Sequence, residues 1–506
     1  MTTRRQLPSP LVVPERVRPI IDLTRPLAGR FLAGGKSLYL VGGTVRDAIA
    51  GRPGGVPADD TVDIDFTTDA LPDEIESLVR DGAEAVWTQG KRFGTIGVLW
   101  HGRRLEITTH RAEAYDQDSR KPSVAFGDDV TTDLSRRDFT VNSMALRLPS
   151  LELIDPYCGL DDLAAKRLRT PLDPVTSFSD DPLRMLRAAR FIAGYELEPD
   201  PALVGAVISM RDRLAIVSAE RIRDELDKLI VLPSPSAGLW FGVRTGLAAE
   251  FLPELPALEL EQDPIHRHKD VLAHTIAVVE KTSPDKLLRL AALFHDIGKP
   301  RTRSIGPDGV SFHHHDVVGA RMTRERMKAL RYPTQEIDAV CRLVELHLRF
   351  HTYKMGWTDS AVRRYARDAG PLLDHLNELT RCDCTTRNAR KAGELGARID
   401  ELERRLAEIR LQEELDSIRP ELDGVEVMAL LGITPGRLVG EALEWLLEIR
   451  LEEGPIGKDE AQRRLFGWWR KRQAEAGTAA DEIDGEGSSE NGSGGDGRDS
   501  PPPLDY

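Results

Sequence analysis

The chain shows two successive patterns of apolar and polar positions. Between residues 36 and 150, short β-type runs such as SLYLVGG, TVDIDFTT, TIGVLW and RLEITTH alternate with segments that could form helices, as in a mixed α/β domain. From about Ser179 onward, apolar residues recur at helical spacing, as in DPLRMLRAARFIAGY and AERIRDELDKLIVL, without further strand-like alternation. The pattern therefore predicts an α+β head followed by an all-α remainder.

Composition narrows the classes of protein that the chain could represent. Its 506 residues suggest about three domains, and 40% hydrophobic with 30% charged residues disfavours collagen-like, wholly disordered and membrane proteins. There is no run of 18 apolar residues and no export signal at the start. Four cysteines are too few for a disulfide framework, which favours a cytoplasmic protein. Cys382 and Cys384 could bind a soft metal, but no second cysteine pair follows at zinc-finger spacing, so ordinary thiols are the preferred interpretation.

The net charge of −14 comes from 69 Lys+Arg against 83 Asp+Glu. The last 30 residues, from Gly477, carry eight acids and one base, a net of −7, among Gly, Ser and Pro, and we expect them to be disordered. The remaining −7 is spread over the rest of the chain. The charge therefore disfavours indiscriminate binding of polyanions but leaves room for local basic sites.

A glycine turn and paired aspartates form the first chemical pattern. The strand SLYLV ends in Gly42-Gly43 and leads into a possible helix, which would suit a phosphate, although a plain turn is an alternative. Asp63 and Asp65 alternate with apolar residues, so period-2 geometry puts both carboxylates on one face of a strand. Glu106 on a later strand is a plausible third carboxylate. Such oxygen ligands suit Mg²⁺ and indicate two-metal phosphoryl transfer.

Six motifs in chain order resemble class II tRNA nucleotidyltransferases and bacterial poly(A) polymerases. They are GGTVRD, DIDF, LEITTHRAEAY, DLSRRDFTVNSMA, DDPLRMLRAARF and AERIRDEL, and the resemblance covers about residues 25 to 250. It implies a polymerase-β-like head in which Asp63 and Asp65 hold Mg²⁺ with help from Glu106.

The same resemblance implies a pocket for CTP and ATP. It assigns the base edge to Asp181 and Arg184, whose spacing of three predicts neighbouring positions on one helix face. The other implied contacts are Gly43 and Arg46 beside the triphosphate, Arg137 near phosphate or sugar, and Arg187 and Arg190 continuing the row toward phosphate.

A histidine-rich segment resembles the HD domain of metal-dependent phosphohydrolases, most specifically through HDIGKP. Imidazoles with carboxylates suit Mn²⁺, Ni²⁺ or Co²⁺ better than Mg²⁺. The run His313–His315 alone could equally be an exposed polar loop. The resemblance implies His274, His295, Asp296 and Asp383 as ligands, with His315 and His347 as candidates for further ligation or phosphate binding.

The preferred hypothesis is an enzyme that adds CCA to the tRNA acceptor end from CTP and ATP, without a membrane partner. A poly(A) polymerase, an enzyme adding only A or CC, and an HD phosphohydrolase with an RNA-binding head are the alternatives. The stretch from Arg111 to Asp133 resembles the base-switching loop of full CCA-adding enzymes. The predicted domains are a head (25–150), a helical neck (151–255), an HD domain (261–395), a C-terminal helical segment (396–475) and a disordered acidic tail (476–506).

Overall fold

The computed structural model describes residues 18–51, 64–114, 123–260, 270–307, 309–350, 357–383, 389–413 and 419–484. Asp63, Cys384 and residues 485–506 of the acidic tail therefore lie outside the described residues. The chain divides into two compact units, one of Met1–Leu348 with Asp374–Ala392 and one of Arg349–Leu373 with Gly393–Tyr506. The first unit thus holds the head, the neck and most of the HD segment.

The head is built on a seven-stranded sheet in the order β3-β4-β5-β2-β1-β8-β9. Strands β2 and β5 are parallel, and β1 runs antiparallel to both β2 and β8. A separate hairpin is formed by β6 and β7. The elements are α1 (Arg18–Ala33), β1 (Leu38–Val41), α2 (Gly43–Ala50), β2 (Ile64–Thr68), α3 (Pro72–Val79), β3 (Ala85–Trp87), β4 (Thr95–Trp100), β5 (Arg103–Thr109), β6 (Arg111–Ala114), β7 (Ser123–Phe126), α4 (Val130–Ser135), β8 (Ala145–Leu148) and β9 (Glu152–Ile154).

The two faces of this sheet have different chemistry. Ile64, Phe66 and Ile107 point to one face and are at most 1% exposed, in a core shared with Phe31 of α1 and Ile75 of α3. The alternate positions of β4 and β5 are more accessible, as is Asp65 of β2, whereas Thr67 of β2 is buried. Because strand side chains alternate, the apolar set anchors the sheet and leaves the opposite face to polar residues.

The neck is mainly helical, and α7 packs against both α9 and α10. Capping side chains begin several of its helices; for example, Asp173 accepts from the backbone of Val175 and Thr176 at the start of α6. Its elements are α5 (Gly159–Ala164), β10 (Arg167–Leu168), α6 (Pro174–Asp180), α7 (Leu183–Tyr195), β11 (Glu198–Pro199), α8 (Pro201–Met210), α9 (Ala219–Ile230) and α10 (Ser236–Arg244).

The HD segment packs on the neck through a buried arginine. Arg289 is 2% exposed and donates to the backbone oxygens of Ile230 and Leu232, both at 2.5 Å, and of Thr282 at 2.8 Å. Its helices and strands are α11 (Val271–Lys281), α12 (Lys286–Phe294), α13 (Lys299–Thr302), β12 (Arg303–Gly306), β13 (Gly309–Phe312), α14 (His315–Ala329), α15 (Thr334–Leu346) and α17 (Leu373–Asp383).

The α+β head and helical remainder are confirmed, but the prediction of no strand after Ser179 is wrong. Strands β12 and β13 pair antiparallel across Gly306–Gly309, and β11 pairs with β10. The sequence GPDG supplies the turn residues of such a hairpin, and its strands are too short to show alternation.

The second unit consists of helices around a small apolar core. Val427, Leu446 and Leu465 are fully buried there. The last helix is described as far as Asp484, and the disorder of the acidic tail stays a prediction. The helices are α16 (Asp359–Ala369), α18 (Ala389–Glu413, which begins in the first unit), α19 (Gly424–Leu431), α20 (Arg437–Glu453) and α21 (Lys458–Asp484). Among the described residues, no helix has the length and apolar character needed to cross a membrane.

Candidate active site

A left-handed glycine brings the start of α2 against the carboxylate face. Gly42 has φ 73°, and a Cβ atom added there would lie 3.2 Å from Asp65 Oδ2 and 3.6 Å from Arg137 Nη1. A side chain would be strained by that backbone conformation and would press on both groups. The turn therefore keeps backbone, carboxylate and guanidinium close together, and Gly43 begins the helix at this point.

Two acidic side chains stand next to each other on the accessible face of the sheet. Asp65 of β2 is the direct partner of Glu106 in the parallel strand β5. Partners in adjacent strands share a face and lie about 5 Å apart. The structure thus brings together Asp65 and Glu106, two of the three carboxylates that the sequence singles out. Their oxygen atoms form an arrangement that fits a divalent cation. Asp63 lies outside the described residues.

Arginines surround the opening beside Asp65. A guanidinium nitrogen of Arg136 and one of Arg137 each lie 3.4 Å from a carboxylate oxygen of the buried Asp133. Arg111 donates to Thr95 Oγ1 at 3.0 Å on the neighbouring strand. Three guanidinium groups at the edge of a carboxylate site suit phosphate oxygens. The cleft, about 250 Å³ in volume, is lined by Val41, Asp65, Phe66, Thr108, Arg111, Asp133, Arg136 and Arg137.

Arg46 faces the neck. The residue is 7% exposed, and its guanidinium donates to Asn142 Oδ1 at 2.5 Å and to the Tyr195 hydroxyl and is paired with Asp47 at 2.8 Å. It also lies 4.1 Å from the centre of the Tyr195 ring. These contacts join α2 to α7, so Arg46 stabilises the junction of head and neck, and its contact with a triphosphate stays a prediction.

Asp181 and Arg184 line one cleft, but they are not neighbours on a helix. Pro182 precedes α7, and Asp181 is extended with φ −143°, so the helical-face prediction is wrong. Asp181 accepts from the Leu183 amide at 3.1 Å and from Arg221 at 2.7 Å. Arg184 donates to Ser177 Oγ at 2.8 Å and to the carbonyl of Arg136. The cleft, about 280 Å³ in volume, is lined by Arg136, Arg137, Asp138, Asp181, Leu183, Arg184, Arg187 and Arg221.

Arg187 and Arg190 are engaged by carboxylates. Arg187 donates to Asp138 at 2.6 and 2.9 Å and to Glu225 at 3.2 Å, and Arg190 donates to Glu225 at 2.7 Å. Burial would raise the pKa of Asp138, but the charge of Arg187 and hydrogen bonds from Asn142 and Arg187 lower it to about 2. These arginines thus fasten α7 to its neighbours, and their predicted role toward phosphate is not tested.

The histidines of the HD segment converge in the first unit. His274 Nε2 lies 2.8 Å from Asp383 Oδ1 and 3.4 Å from His295 Nε2. Asp296 approaches this group through one oxygen, 3.2 Å from His295, and reaches His315 through the other at 3.5 Å. Ligand atoms fall into two sets, each within 4.8 Å: His274, His295 and Asp383, and Asp296, His315 and His347.

The chemistry of this cluster fits a cation. Among the described residues, His315 Nε2 and His347 Nε2 are buried without a hydrogen-bond partner, and Asp296 Oδ1 lies 3.5 Å from His315 Nε2. Burial lowers the pKa of His295, but the carboxylates of Asp296 and Asp383 outweigh it and raise that pKa, so they attract positive charge to this position; burial and the neighbouring His295 lower the pKa of His347 to about 4. Neutral imidazole nitrogen beside carboxylates is the donor set of transition metals. In the run His313–His315, only His315 is buried and joins the cluster.

Several residues that organise the site had no role in the sequence analysis. Arg221 and Glu225 lie in the quoted motif AERIRDEL, and Asp138 lies in RRDFT, so the motifs marked the positions without revealing the pairings. Asp133 orients Arg136 and Arg137. Each pairing, except that of Asp133, joins residues more than 30 positions apart, which local spacing does not reveal.

Comparisons with known proteins agree with this architecture. Family models match residues 38–169 (Poly A polymerase head domain), 196–258 (Probable RNA and SrmB- binding site of polymerase A) and 271–404 (HD domain). The A-adding tRNA nucleotidyltransferase of Deinococcus radiodurans is 36% identical over 352 residues, which cover 67% of this chain and 79% of that protein. The CCA-adding enzyme of Bacillus licheniformis is 39% identical over 235 residues, covering 46% of this chain and 55% of that protein.

Solved structures share the fold at low identity. The Bacillus stearothermophilus CCA-adding enzyme in complex with CTP has a TM-score of 0.67 and 22% identity, covering 90% of this chain and 99% of that one. The Thermotoga maritima CCA-adding enzyme complexed with tRNA has a TM-score of 0.53 and 19% identity, covering 90% and 97%. The head, its carboxylates and these similarities define a nucleotidyltransferase. The chain belongs to the tRNA nucleotidyltransferase family, in a form that carries an HD domain.

Proposed function

We propose that this enzyme adds CCA to the 3′ end of tRNA from CTP and ATP without a nucleic-acid template. The observation that carries the proposal is the continuity of the two clefts: Arg136 and Arg137 line both the opening beside Asp65 and the cleft that contains Asp181 and Arg184. A nucleoside triphosphate has this layout, with phosphates at one end and a base edge at the other.

The residues divide the work of the reaction between them. Asp63 and Asp65 would hold Mg²⁺ with Glu106 beside them, and two such ions supply activation of the attacking hydroxyl and neutralisation of the leaving pyrophosphate. The acceptor 3′ oxygen forms the new bond to the α-phosphorus as the bond to pyrophosphate breaks. Arg137, next to Asp65, would hold phosphate oxygens in line for this displacement.

Selection of the base follows from donor and acceptor chemistry. An ionised Asp181 carboxylate only accepts hydrogen bonds, whereas Arg184 only donates them. Cytosine and adenine each present an exocyclic amino group beside a ring nitrogen that accepts, which complements this pair. Uracil and guanine present a carbonyl oxygen where the amino group would be, which places two acceptors against each other. The cleft therefore favours CTP and ATP over UTP and GTP.

Incubation with tRNA substrates that end before, within and after the CC step tests this proposal. With tRNA lacking CCA, labelled CTP and ATP should both be incorporated, to a product three nucleotides longer, and Asp65→Asn should abolish both. Incorporation of ATP alone in long runs would instead indicate a poly(A) polymerase. UTP incorporation at a rate comparable to CTP would refute the role of Asp181 and Arg184.

An A-adding enzyme is the second candidate, because the Deinococcus radiodurans relative with that name matches more of this chain than the Bacillus licheniformis relative does. Such an enzyme would extend only tRNA that already ends in CC. Incorporation of CTP into tRNA lacking CCA separates the two functions. Either activity would take place where tRNA is processed, in the cytoplasm.

We also propose that the histidine cluster binds Mn²⁺, Ni²⁺ or Co²⁺ and hydrolyses phosphate esters. The Nε2 atoms of His315 and His347 are buried and have no hydrogen-bond partner among the described residues, which supports the binding of a metal there. The protein should hydrolyse a chromogenic phosphate diester or monoester when supplied with one of these metals, and His295→Ala should remove that activity while tRNA extension continues. A protein that neither retains the metal nor cleaves the ester would refute the second activity.

A further inference from the structure

The carboxylate pair divides the head sheet into two sides. On one side of β2 lies β1, which leads into the glycine turn, and the arginine-lined opening is bordered by Val41 of β1, Asp65 of β2 and Thr108 of β5. On the other side lie β5, β4 and β3 in that order. A nucleotide bound on the β1 side leaves the β5–β4–β3 side for the second substrate, because the reacting groups of both must meet at Asp65.

A transverse row of residues crosses that second side. Asp65 pairs with Glu106, Glu106 with Gly97 of β4, and Gly97 with Trp87 of β3. Direct partners in adjacent strands lie on the same face of a sheet. The row therefore leads along the accessible face from the two carboxylates, across a glycine, to an aromatic ring.

The end of this row forms a cleft of about 410 Å³. Trp87 is 37% exposed, and the Arg104 guanidinium lies 5.8 Å from the centre of its ring. A Cβ atom added to Gly97 would stand 3.1 Å from Trp87 Cε3, so the missing side chain lets the indole ring lie over the backbone of β4 beside the cleft. The cleft is lined by Trp87, Gln89, Gly90, Thr95, Gly97, Arg104, Leu105 and Glu106.

We propose that this cleft binds the single-stranded acceptor end of the RNA substrate, with a nucleobase stacked on Trp87 and a backbone phosphate near Arg104. The inference rests on the proposed function, which supplies an RNA acceptor. An exposed aromatic ring with an adjacent cation is the combination that binds single-stranded nucleic acid without reading its sequence. Such tolerance suits an enzyme whose acceptor end changes after each added nucleotide.

The spacing fits an acceptor strand. Three strand-to-strand steps of about 4.8 Å place Trp87 roughly 14 Å from Asp65. Stacked nucleotides rise about 3.4 Å each along a strand, so this length corresponds to about four nucleotides counted back from the reacting 3′ end. Trp87 therefore lies within reach of the nucleotides that precede the growing terminus.

Replacing Trp87 tests the subsite by steady-state kinetics with tRNA lacking CCA. Trp87→Ala should raise the KM for the acceptor roughly 5- to 100-fold, as expected for loss of one base–aromatic stack, and leave the KM for CTP unchanged. Trp87→Phe should restore most of the acceptor affinity, because it keeps a stacking ring. Leu32→Ala, which removes a 62% exposed apolar side chain elsewhere on the head, is the matched control and should leave both constants unchanged.

A second measurement uses the wild-type protein and does not depend on the folding of a variant. A tRNA with 5-iodouridine at the fourth nucleotide from its 3′ end should form a photochemical cross-link to the peptide that contains Trp87. Cross-links confined to other peptides, or an unchanged acceptor KM in an active Trp87→Ala variant, would overturn the subsite alone. A wild-type protein that extends no tRNA would instead refute the proposed function.

Discussion

Removing the charge of Asp138 should destabilise the first unit by about 2 kcal/mol at neutral pH. The folded protein lowers the pKa of Asp138 from 3.8 to about 2, and each pKa unit corresponds to about 1.36 kcal/mol. The side chain is only 8% exposed and accepts from Arg187, from Asn142 and from its own neighbour's amide. Breaking a buried ion pair outright costs about 3–5 kcal/mol, but Arg187 keeps Glu225 in Asp138→Asn, which favours the lower figure.

The sign of the pH dependence follows from the lowered pKa. Because the folded state favours the ionised carboxylate, its stabilising contribution is complete above the unfolded pKa of about 3.8 and is lost as the pH falls through the folded value near 2. The difference between wild type and Asp138→Asn should therefore be largest at pH 5 to 7 and should shrink toward pH 2.

Urea unfolding followed by circular dichroism at a series of pH values measures this difference. Asp224→Asn is the matched control, because Asp224 pairs with Arg223 on the surface with 53% of its side chain exposed, and surface pairs contribute at most about 1 kcal/mol. Equal midpoints for Asp138→Asn and wild type at pH 7, or a difference that grows toward pH 2, would refute the electrostatic argument.

Four other variants test separate features. Asp65→Ala should reduce nucleotide addition at least a hundredfold, since loss of a metal ligand removes several kcal/mol of transition-state stabilisation, with an unchanged melting temperature; substantial residual rate would contradict its role. Gly42→Ala should slow addition by about tenfold or more, because φ 73° costs a side chain about 1–2 kcal/mol and the new Cβ crowds Asp65; initial rates decide it, and a wild-type rate would show that the turn tolerates a side chain. Arg289→Ala should lower the free energy of unfolding by about 2–5 kcal/mol, because it leaves buried carbonyls unsatisfied; a change below about 0.5 kcal/mol in urea unfolding would contradict this. His295→Ala should lose bound transition metal, measured by elemental mass spectrometry, while tRNA extension continues; full metal retention would exclude it as a ligand.

Alternation of apolar and polar residues predicts the exposed face of the head sheet, and the family resemblance predicts which residues meet in the histidine cluster. Asp65 stands between Ile64 and Phe66, both 1% exposed, so alternation alone predicted which side chains would face outward. In the HD segment, His295 and Asp296 of HDIGKP lie close to distant His274 and Asp383, which the family resemblance also names; their binding of a metal stays a prediction.

The arrangement of the charged residues around α7 could not be predicted from helical spacing. Pro182 restricts Asp181 to an extended conformation, so the three-residue spacing to Arg184 carried no information about a shared helix face. Arg187 and Arg190 form ion pairs with Glu225 of another helix, a pairing that the sequence does not indicate, and their contact with phosphate stays a prediction. Contacts of this kind depend on how helices pack, which a single sequence does not specify.

Helix α9 connects the HD segment to the cleft that contains Asp181, and this structural role does not depend on catalysis by the HD segment. Near its start Arg221 donates to Asp181, and at its end the Ile230 carbonyl accepts from Arg289 while Asp227 accepts from the Tyr332 hydroxyl at 2.5 Å. A 12-residue helix is about 18 Å long and stiff. Deleting the HD segment would therefore release one end of the helix whose other end contacts Asp181, the carboxylate proposed to read the base. In the proposed function, the HD fold would thus support base selection whether or not its histidine cluster turns over a substrate.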